Sequence, residues 1–63
     1  MYELQVYFPG DTSARATFLS DRAADVLLRI PELLADHDGC EHIVIRLGDV
    51  RLFSVDCKGV RLP

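Results

Sequence analysis

The most regular pattern in the chain is a pair of apolar, β-branched runs, 41–47 and 50–56, on either side of Gly48-Asp49. A two-residue loop between such runs is typical of a β-hairpin. Since strand side chains alternate with period two, the turn sets the expected pairing. On one surface we expect Leu47 opposite Val50, Ile45 opposite Leu52 and Ile43 opposite Ser54; on the other, Arg46 opposite Arg51, Val44 opposite Phe53 and His42 opposite Val55.

Two more strands are expected before this hairpin. Every second residue from Tyr2 to Phe8 is apolar, which predicts a half-buried strand that ends at the turn signal Pro9-Gly10-Asp11. Residues 14–19 predict a weaker second strand, and the short connection between the two predicts a hairpin.

The C-terminal residues predict a fifth strand. Lys58-Gly59 is a turn candidate that would bring residues 60–62 back alongside the end of the main hairpin. Asp56 would then face Arg61, and an opposite-charge pair across two strands would help to set this register.

One amphipathic helix is expected between the second and third strands. Ser20 is a good N-cap, and Asp21 adds negative charge at the positive end of the helix dipole. Residues at the spacing of one helical stripe, all apolar except His37, extend the segment to about Asp36. They are Ala23, Val26, Leu27, Ile30, Leu33, Leu34 and His37. Pro31 lies inside the stripe and removes one backbone hydrogen bond, so a kink is expected there.

These elements predict an α+β fold for the single domain 1–63. Its small antiparallel sheet, in the order β-β-α-β-β-β, has the Pro-kinked helix packed on one face. A chain of 63 residues has no material for a second core. The expected helix-facing residues are Leu4, Val6, Phe8, Phe18, Val26, Leu27, Ile30, Leu33, Leu34, Ile43, Ile45, Leu47, Val50 and Leu52.

The second sheet face is expected to remain apolar without a helix to cover it. Its residues are Val44, Phe53, Val55, Val60 and Leu62. Exposed apolar patches of this kind are typical of protein interfaces. We therefore expect a homodimer through this face, a complex with another protein, or both. A bulge at Ser54 is the alternative that would move Phe53 and Val55 to the helix side.

The charge distribution argues against nucleic acid as a partner. The net charge is −3, with seven acidic and three basic side chains in residues 1–40 and three acidic and four basic ones in residues 41–63. Electrostatic binding to nucleic acid depends on an excess of Lys and Arg. No apolar run approaches the ~20 residues that cross a bilayer, and no signal-peptide pattern opens the chain. The expected location is the cytoplasm, where thiols are normally reduced.

Arg46 and Arg51 face each other beside the turn in the expected register. Like charges in such positions are unfavourable unless an anion lies near them. A carboxylate of a partner chain, or a phosphate, fits two guanidinium groups. The simpler interpretation, which needs no ligand, is that both side chains extend into solvent. Together with Lys58 and Arg61 they define the first alternative function, an anion or nucleic-acid site.

Cys40 and Cys57 become direct neighbours when the hairpin register is continued, and His42 shares their face. They could form a disulfide or stay as two thiols, and with His37 they could supply the ligands of a structural zinc. However, the spacing is irregular, and a histidine at a helix end more commonly contacts the last carbonyls. We therefore expect no metal and no cofactor, and keep a metal- or thiol-dependent switch at Cys40, His42 and Cys57 as the second alternative.

Motifs of enzymatic chemistry do not occur in the chain. It has no Gly-rich phosphate loop, nucleophile elbow or zinc-protease helix. The sequence therefore predicts a noncatalytic protein-interaction module with a regulatory, inhibitory or adaptor role. Its small size and acidity suit a bacterial or phage accessory protein.

Overall fold

A computed structural model describes all 63 residues and shows an α+β fold, with one helix packed on a four-stranded antiparallel sheet. The strands are β1 (Tyr2–Tyr7), β2 (Ala16–Ser20), β3 (His42–Leu47) and β4 (Val50–Asp56), and the helix α1 (Ala23–Asp36) lies between β2 and β3 in the chain. Their order across the sheet is β2-β1-β3-β4. The predicted fold class is confirmed.

The loop between β1 and β2 is fixed by Asp11. Its carboxylate accepts a hydrogen bond from the backbone N–H of Phe8 at 2.9 Å and contacts the Arg15 guanidinium at 2.9 Å. The Phe8 bond is the main cause that lowers the pKa of Asp11 below its usual value, and Arg15 adds to it. Gly10 supplies the positive φ of +85° that the turn requires.

The helix begins two residues later than the expected cap. Ser20 ends β2, and the residue that precedes the first helical turn is Arg22, which makes no side-chain capping bond. The Ser20 hydroxyl contacts the backbone of Arg22 instead, at 3.3 Å to its carbonyl oxygen. The predicted N-cap was therefore wrong.

The helix ends as predicted at Asp36, and it continues through Pro31 without a break. His37 closes its last turn, because the backbone N–H and the ring Nδ1 both donate to the carbonyl oxygen of Leu33, at 2.9 and 2.8 Å. The expected contact of this histidine with the last carbonyls is confirmed. No helix of the chain combines the length and the apolar character needed to cross a bilayer.

The core lies between α1 and the central strands. Nine buried residues form one cluster: Leu4, Val6, Val26, Ile30, Leu33, Cys40, Ile43, Ile45 and Val55. Each fully buried aliphatic side chain contributes roughly 1.5–3 kcal/mol. Docking of the helix on the sheet is therefore a main source of stability.

A β-bulge in β4 changes the expected hairpin register. Arg46 pairs with Arg51 as predicted, but the next pair is Ile45 with Phe53, so Leu52 is the extra residue. The pairs that follow are Val44 with Ser54, Ile43 with Val55 and His42 with Asp56. The predicted pairs beyond Arg46 and Arg51 were wrong. Phe53 and Val55 consequently lie on the helix side of the sheet, and Ser54 lies on the opposite side.

The C-terminal residues form a single bridge, Val55 with Arg61, instead of a fifth strand. The expected facing pair of Asp56 and Arg61 is not formed. The Asp56 carboxylate accepts hydrogen bonds from the backbone N–H groups of Lys58 and Val60, at 2.9 and 3.0 Å. This turn directs the tail, residues 60–63, along the outer edge of β4.

Candidate interaction surface

The sheet surface that faces away from α1, called the open face below, is mostly polar. Its strand residues are Glu3, Gln5, Tyr7, Thr17, Leu19, His42, Val44, Arg46, Arg51, Ser54 and Asp56. The prediction of a second apolar face was therefore wrong, because Val55 belongs to the core and Phe53 packs against the core. Val44 is buried on the open face, whereas Val60 and Leu62 are exposed on the tail.

Uncovered apolar residues occur instead on the helix side. The helix packs along β1 and β2, at one half of the sheet. A helix is about 10 Å wide, whereas four strands spaced by about 4.8 Å span about 15–20 Å. At the hairpin end of the other half, Leu47, Val50 and Leu52 remain exposed.

The two flanks of α1 differ in chemistry. The flank on the β4 side carries Ala23, Leu27, Pro31 and Leu34, which line cavities together with Phe53. The opposite flank carries Asp25, Arg29 and Glu32 and lines a cavity with β2 residues. Leu27 is 65% exposed and Leu28 is 69% exposed. The apolar part of the helix thus extends beyond the stripe that the core buries.

Two adjoining cavities form one groove between α1 and β4, called the β4-side groove below. They have volumes of about 240 and 520 Å³ and share Leu27 and Phe53. The smaller cavity is lined by Tyr2, Ala23, Val26, Leu27, Ile45, Leu52 and Phe53, which are all apolar or aromatic. Tyr2 also pairs with Leu47, so the exposed hairpin residues continue this surface.

The far end of the β4-side groove is basic. Lys58 and Arg61 line it, and no acidic residue does. The Arg61 guanidinium lies 4.9 Å from the centre of the Phe53 ring, a cation–π distance. Arg61 also lines a second cavity with Arg51 and Ser54, so it lies between the groove and one of the two facing arginines.

Arg46 and Arg51 face each other on the open face, as predicted. Nη2 of Arg46 donates to the carbonyl oxygen of Asp49, and Nη2 of Arg51 donates to Oγ of Ser54, both at 2.9 Å. The contacts within 4.0 Å between a basic and an acidic side chain are Arg15 with Asp11 and His42 with Glu41. Neither arginine of the facing pair therefore has a carboxylate partner.

The four candidate zinc ligands are used separately. His37 caps α1, and the His42 ring stacks on Tyr7 with centroids 4.8 Å apart. Cys40 is buried and Cys57 is exposed, and they are not bridged. The one-residue shift of register removes their expected direct opposition. No three His, Cys, Asp or Glu side chains come together in a way that could hold a metal ion.

Burial makes the Cys40 thiol hard to ionise. Desolvation raises the pKa of Cys40 above its usual value, and the nearby Cys57 adds to the effect. A thiolate is the reactive form of cysteine, so this environment disfavours nucleophilic chemistry at Cys40.

The apolar pattern predicted Leu27, Leu47, Val50 and Leu52 in the helix-covered core, and this prediction was wrong because all four are exposed. The signal that could have separated them is geometric. One helix is narrower than a four-stranded sheet, so it cannot cover every helix-side residue, and those at the hairpin end of β3 and β4 lack cover.

No family model matches the chain, and no curated protein or solved structure matches it significantly.

Proposed function

We propose that this chain is a small noncatalytic protein-interaction module that forms a homodimer through the β4-side groove and the exposed residues beside it. The observation that carries the proposal is the continuity of apolar surface from Leu27 across the groove to Leu47, Val50 and Leu52. Contiguous exposed patches of this kind usually bind another molecule. The proposal keeps the expected dimer but moves its interface from the open face to the helix side.

A second copy suits this surface by charge. The acidic flank of α1, with Asp25 and Glu32, lies on one side of the apolar residues, and the basic end of the groove, with Lys58 and Arg61, lies on the other. A two-fold symmetric contact uses the same patch on both subunits, so unlike charges can meet twice around an apolar centre. Such a dimer fits a regulatory, inhibitory or adaptor role. The two unbridged cysteines support a cytoplasmic location.

Sedimentation velocity over a range of protein concentrations tests the proposal. The wild-type chain is expected to sediment as a dimer. Leu27→Glu and Leu52→Glu are expected to give folded monomers, because each places a charge in the apolar centre at a position that is itself exposed in the single chain. Thr17→Glu is the control, since Thr17 is exposed on the open face and lines neither the β4-side groove nor the cavity beside the acidic flank.

Two results would contradict this assignment. If the wild-type chain is a monomer throughout the concentration range, the proposed homodimer is excluded. Dissociation by Thr17→Glu as strong as that by Leu27→Glu would place the interface elsewhere. Circular dichroism of each variant shows that the monomers are still folded.

A further inference from the structure

We propose that Arg46 and Arg51 form a binding site for a dianionic phosphate group on the open face, next to the surface proposed for dimerisation. The two residues pair directly across β3 and β4. Directly facing residues of neighbouring antiparallel strands have Cα atoms about 4.5–5.5 Å apart. Two positive charges in this position repel each other, and an anion between them would convert the repulsion into attraction.

Both guanidinium groups are held in place by neutral oxygen atoms. Arg46 donates to the Asp49 carbonyl in the turn, and Arg51 donates to the Ser54 hydroxyl. A guanidinium has five N–H donors, so most of the donors of each arginine remain available. Since a neutral acceptor orients the group without cancelling its charge, each arginine is positioned and keeps its positive charge.

The bulge is what places Ser54 beside Arg51. Residues three apart in a regular strand face opposite sides of the sheet, and the extra residue Leu52 brings both to the open face. Ser54 is 2% exposed, so its hydroxyl is a fixed acceptor under the arginine. Bulges that direct a side chain in this way are over-represented near functional sites.

The neighbouring carboxylates form no ion pair with either arginine. Glu3 faces Arg46 from β1, but its carboxylate accepts a hydrogen bond from Gln5 at 3.3 Å and forms no ion pair within 4.0 Å. Asp49 contributes its carbonyl oxygen, not its carboxylate, to Arg46.

Charge balance favours a phosphate dianion over a single carboxylate. A phosphate monoester carries about −1.5 to −2 charge at neutral pH, which matches two guanidinium groups. Planar guanidinium forks also suit phosphate oxygens, which accept paired hydrogen bonds. The ligand would be inorganic phosphate or a phosphate monoester.

Titration followed by ¹H–¹⁵N NMR tests the site, with inorganic phosphate, O-phosphoserine and acetate as separate probes. We expect saturable shifts at residues 46, 51 and 54 with either phosphate compound and much weaker binding of acetate. Arg46→Gln and Arg51→Gln are each expected to weaken phosphate binding at least about tenfold, since a charge-assisted hydrogen bond is lost. Arg22→Gln removes the same charge from an exposed position outside the site and should bind phosphate like the wild type.

Comparison of the two phosphate probes identifies the source of the group. Tighter binding of O-phosphoserine indicates a monoester, and equal binding indicates free phosphate. Ser54→Ala should weaken phosphate binding although both arginine charges remain. A diffuse electrostatic attraction depends only on those charges, so it would not be weakened by this substitution.

Three results would overturn the site. They are shifts that never saturate, equal loss of binding in Arg22→Gln, and binding of a single-stranded oligonucleotide with none of the phosphate probes. The monomeric Leu27→Glu variant should bind phosphate normally, so failure of this proposal and failure of the dimer proposal can be told apart.

Discussion

Ser54 accepts a hydrogen bond of 2.9 Å from the Arg51 guanidinium, although the two residues are three positions apart in β4. In a regular strand they would lie on opposite faces. The extra residue Leu52 places both on the open face and turns Phe53 and Val55 toward the helix. One inserted residue therefore decides the composition of the core and of the open face together.

Deletion of Leu52 tests this account of the bulge. The shortened β4 would pair regularly with β3 while keeping Phe53 opposite Ile45, so we expect a folded protein with the same sheet. Leu52 is 40% exposed, so loss of the rest of its side-chain surface from the folded protein should lower the free energy of unfolding by about 1–2 kcal/mol, measured by urea denaturation.

Deletion of Val44 is the control for that experiment. Removing a residue from β3 shifts the pairing of Ile43 with both β1 and β4, so this variant should not fold cooperatively. If the Leu52 deletion variant is unfolded, or if the two deletion variants are equally stable, the sheet does not keep its register without the extra residue.

The hairpin shows why the fold class was predictable and the register was not. The turn at Gly48-Asp49 and the pairs beside it followed from local chemistry, and both were confirmed. Further along, either register places an apolar residue opposite Ile45. They differ at Ile43, which would face Ser54 in a regular ladder and faces Val55 in the bulged one. Burial of Val55 in place of Ser54 offsets the free-energy cost of leaving one residue unpaired. The alternation of side chains along a strand does not reveal this balance.

The helix shows a second limit of the pattern. Its stripe, its end at Asp36 and the role of His37 were predicted from spacing and composition. The stripe did not reveal that Leu27 would be exposed, because the lateral position of a helix on a sheet depends on tertiary packing. For the candidate site, the facing arginines were predicted, whereas the surface proposed for dimerisation depends on that lateral position.

Phe53→Asp tests whether Phe53 lies on the helix side of the sheet, as in the structure, or on an exposed face, as the sequence predicted. Phe53 is half-buried against the core, so an aspartate there would carry a charge into apolar surroundings and should unfold the chain. Leu52→Asp, at the more exposed neighbouring position, should stay folded. Circular dichroism and urea denaturation distinguish them. A folded Phe53→Asp protein with near wild-type stability would contradict the assigned register.

Protonation of Asp56 should release the tail. The backbone N–H groups of Val60 and Lys58 donate to its carboxylate and lower the pKa of Asp56 below its usual value. With a folded pKa below the unfolded one, this contribution is present above the unfolded pKa and is lost as the pH falls through the folded pKa. The Leu62 N–H, which donates to the Ser54 carbonyl, should therefore lose protection from hydrogen exchange below about pH 4.

Asp56→Asn supplies the comparison for this titration. Its amide oxygen can still accept hydrogen bonds but does not ionise, so the protection factor of Leu62 should not change through the same acid range. An acid-dependent loss of the same size in Asp56→Asn would assign the effect to another group.

The two thiols should differ in reactivity with a disulfide reagent at neutral pH. Cys57 is exposed and should react rapidly, whereas Cys40 is buried and its raised pKa disfavours the thiolate. Cys57→Ser should remove the fast phase and leave stability and sedimentation unchanged. A change in either property would support the thiol-dependent switch over a structural role for these cysteines.

Pro31→Ala should stabilise the protein. Pro31 has no N–H to donate to the carbonyl of Leu27, yet it occupies an exposed position in the middle of α1. Alanine restores the hydrogen bond and has the higher helix propensity, partly offset by the greater freedom of the unfolded chain, so we expect a gain of about 1–2 kcal/mol. Urea denaturation at one fixed protein concentration measures it, because a dimer makes apparent stability concentration-dependent. Glu32→Ala, at the next exposed position, should change stability by less than about 0.5 kcal/mol. A loss of stability in Pro31→Ala would mean that the proline ring contributes packing in the β4-side groove that outweighs the missing hydrogen bond.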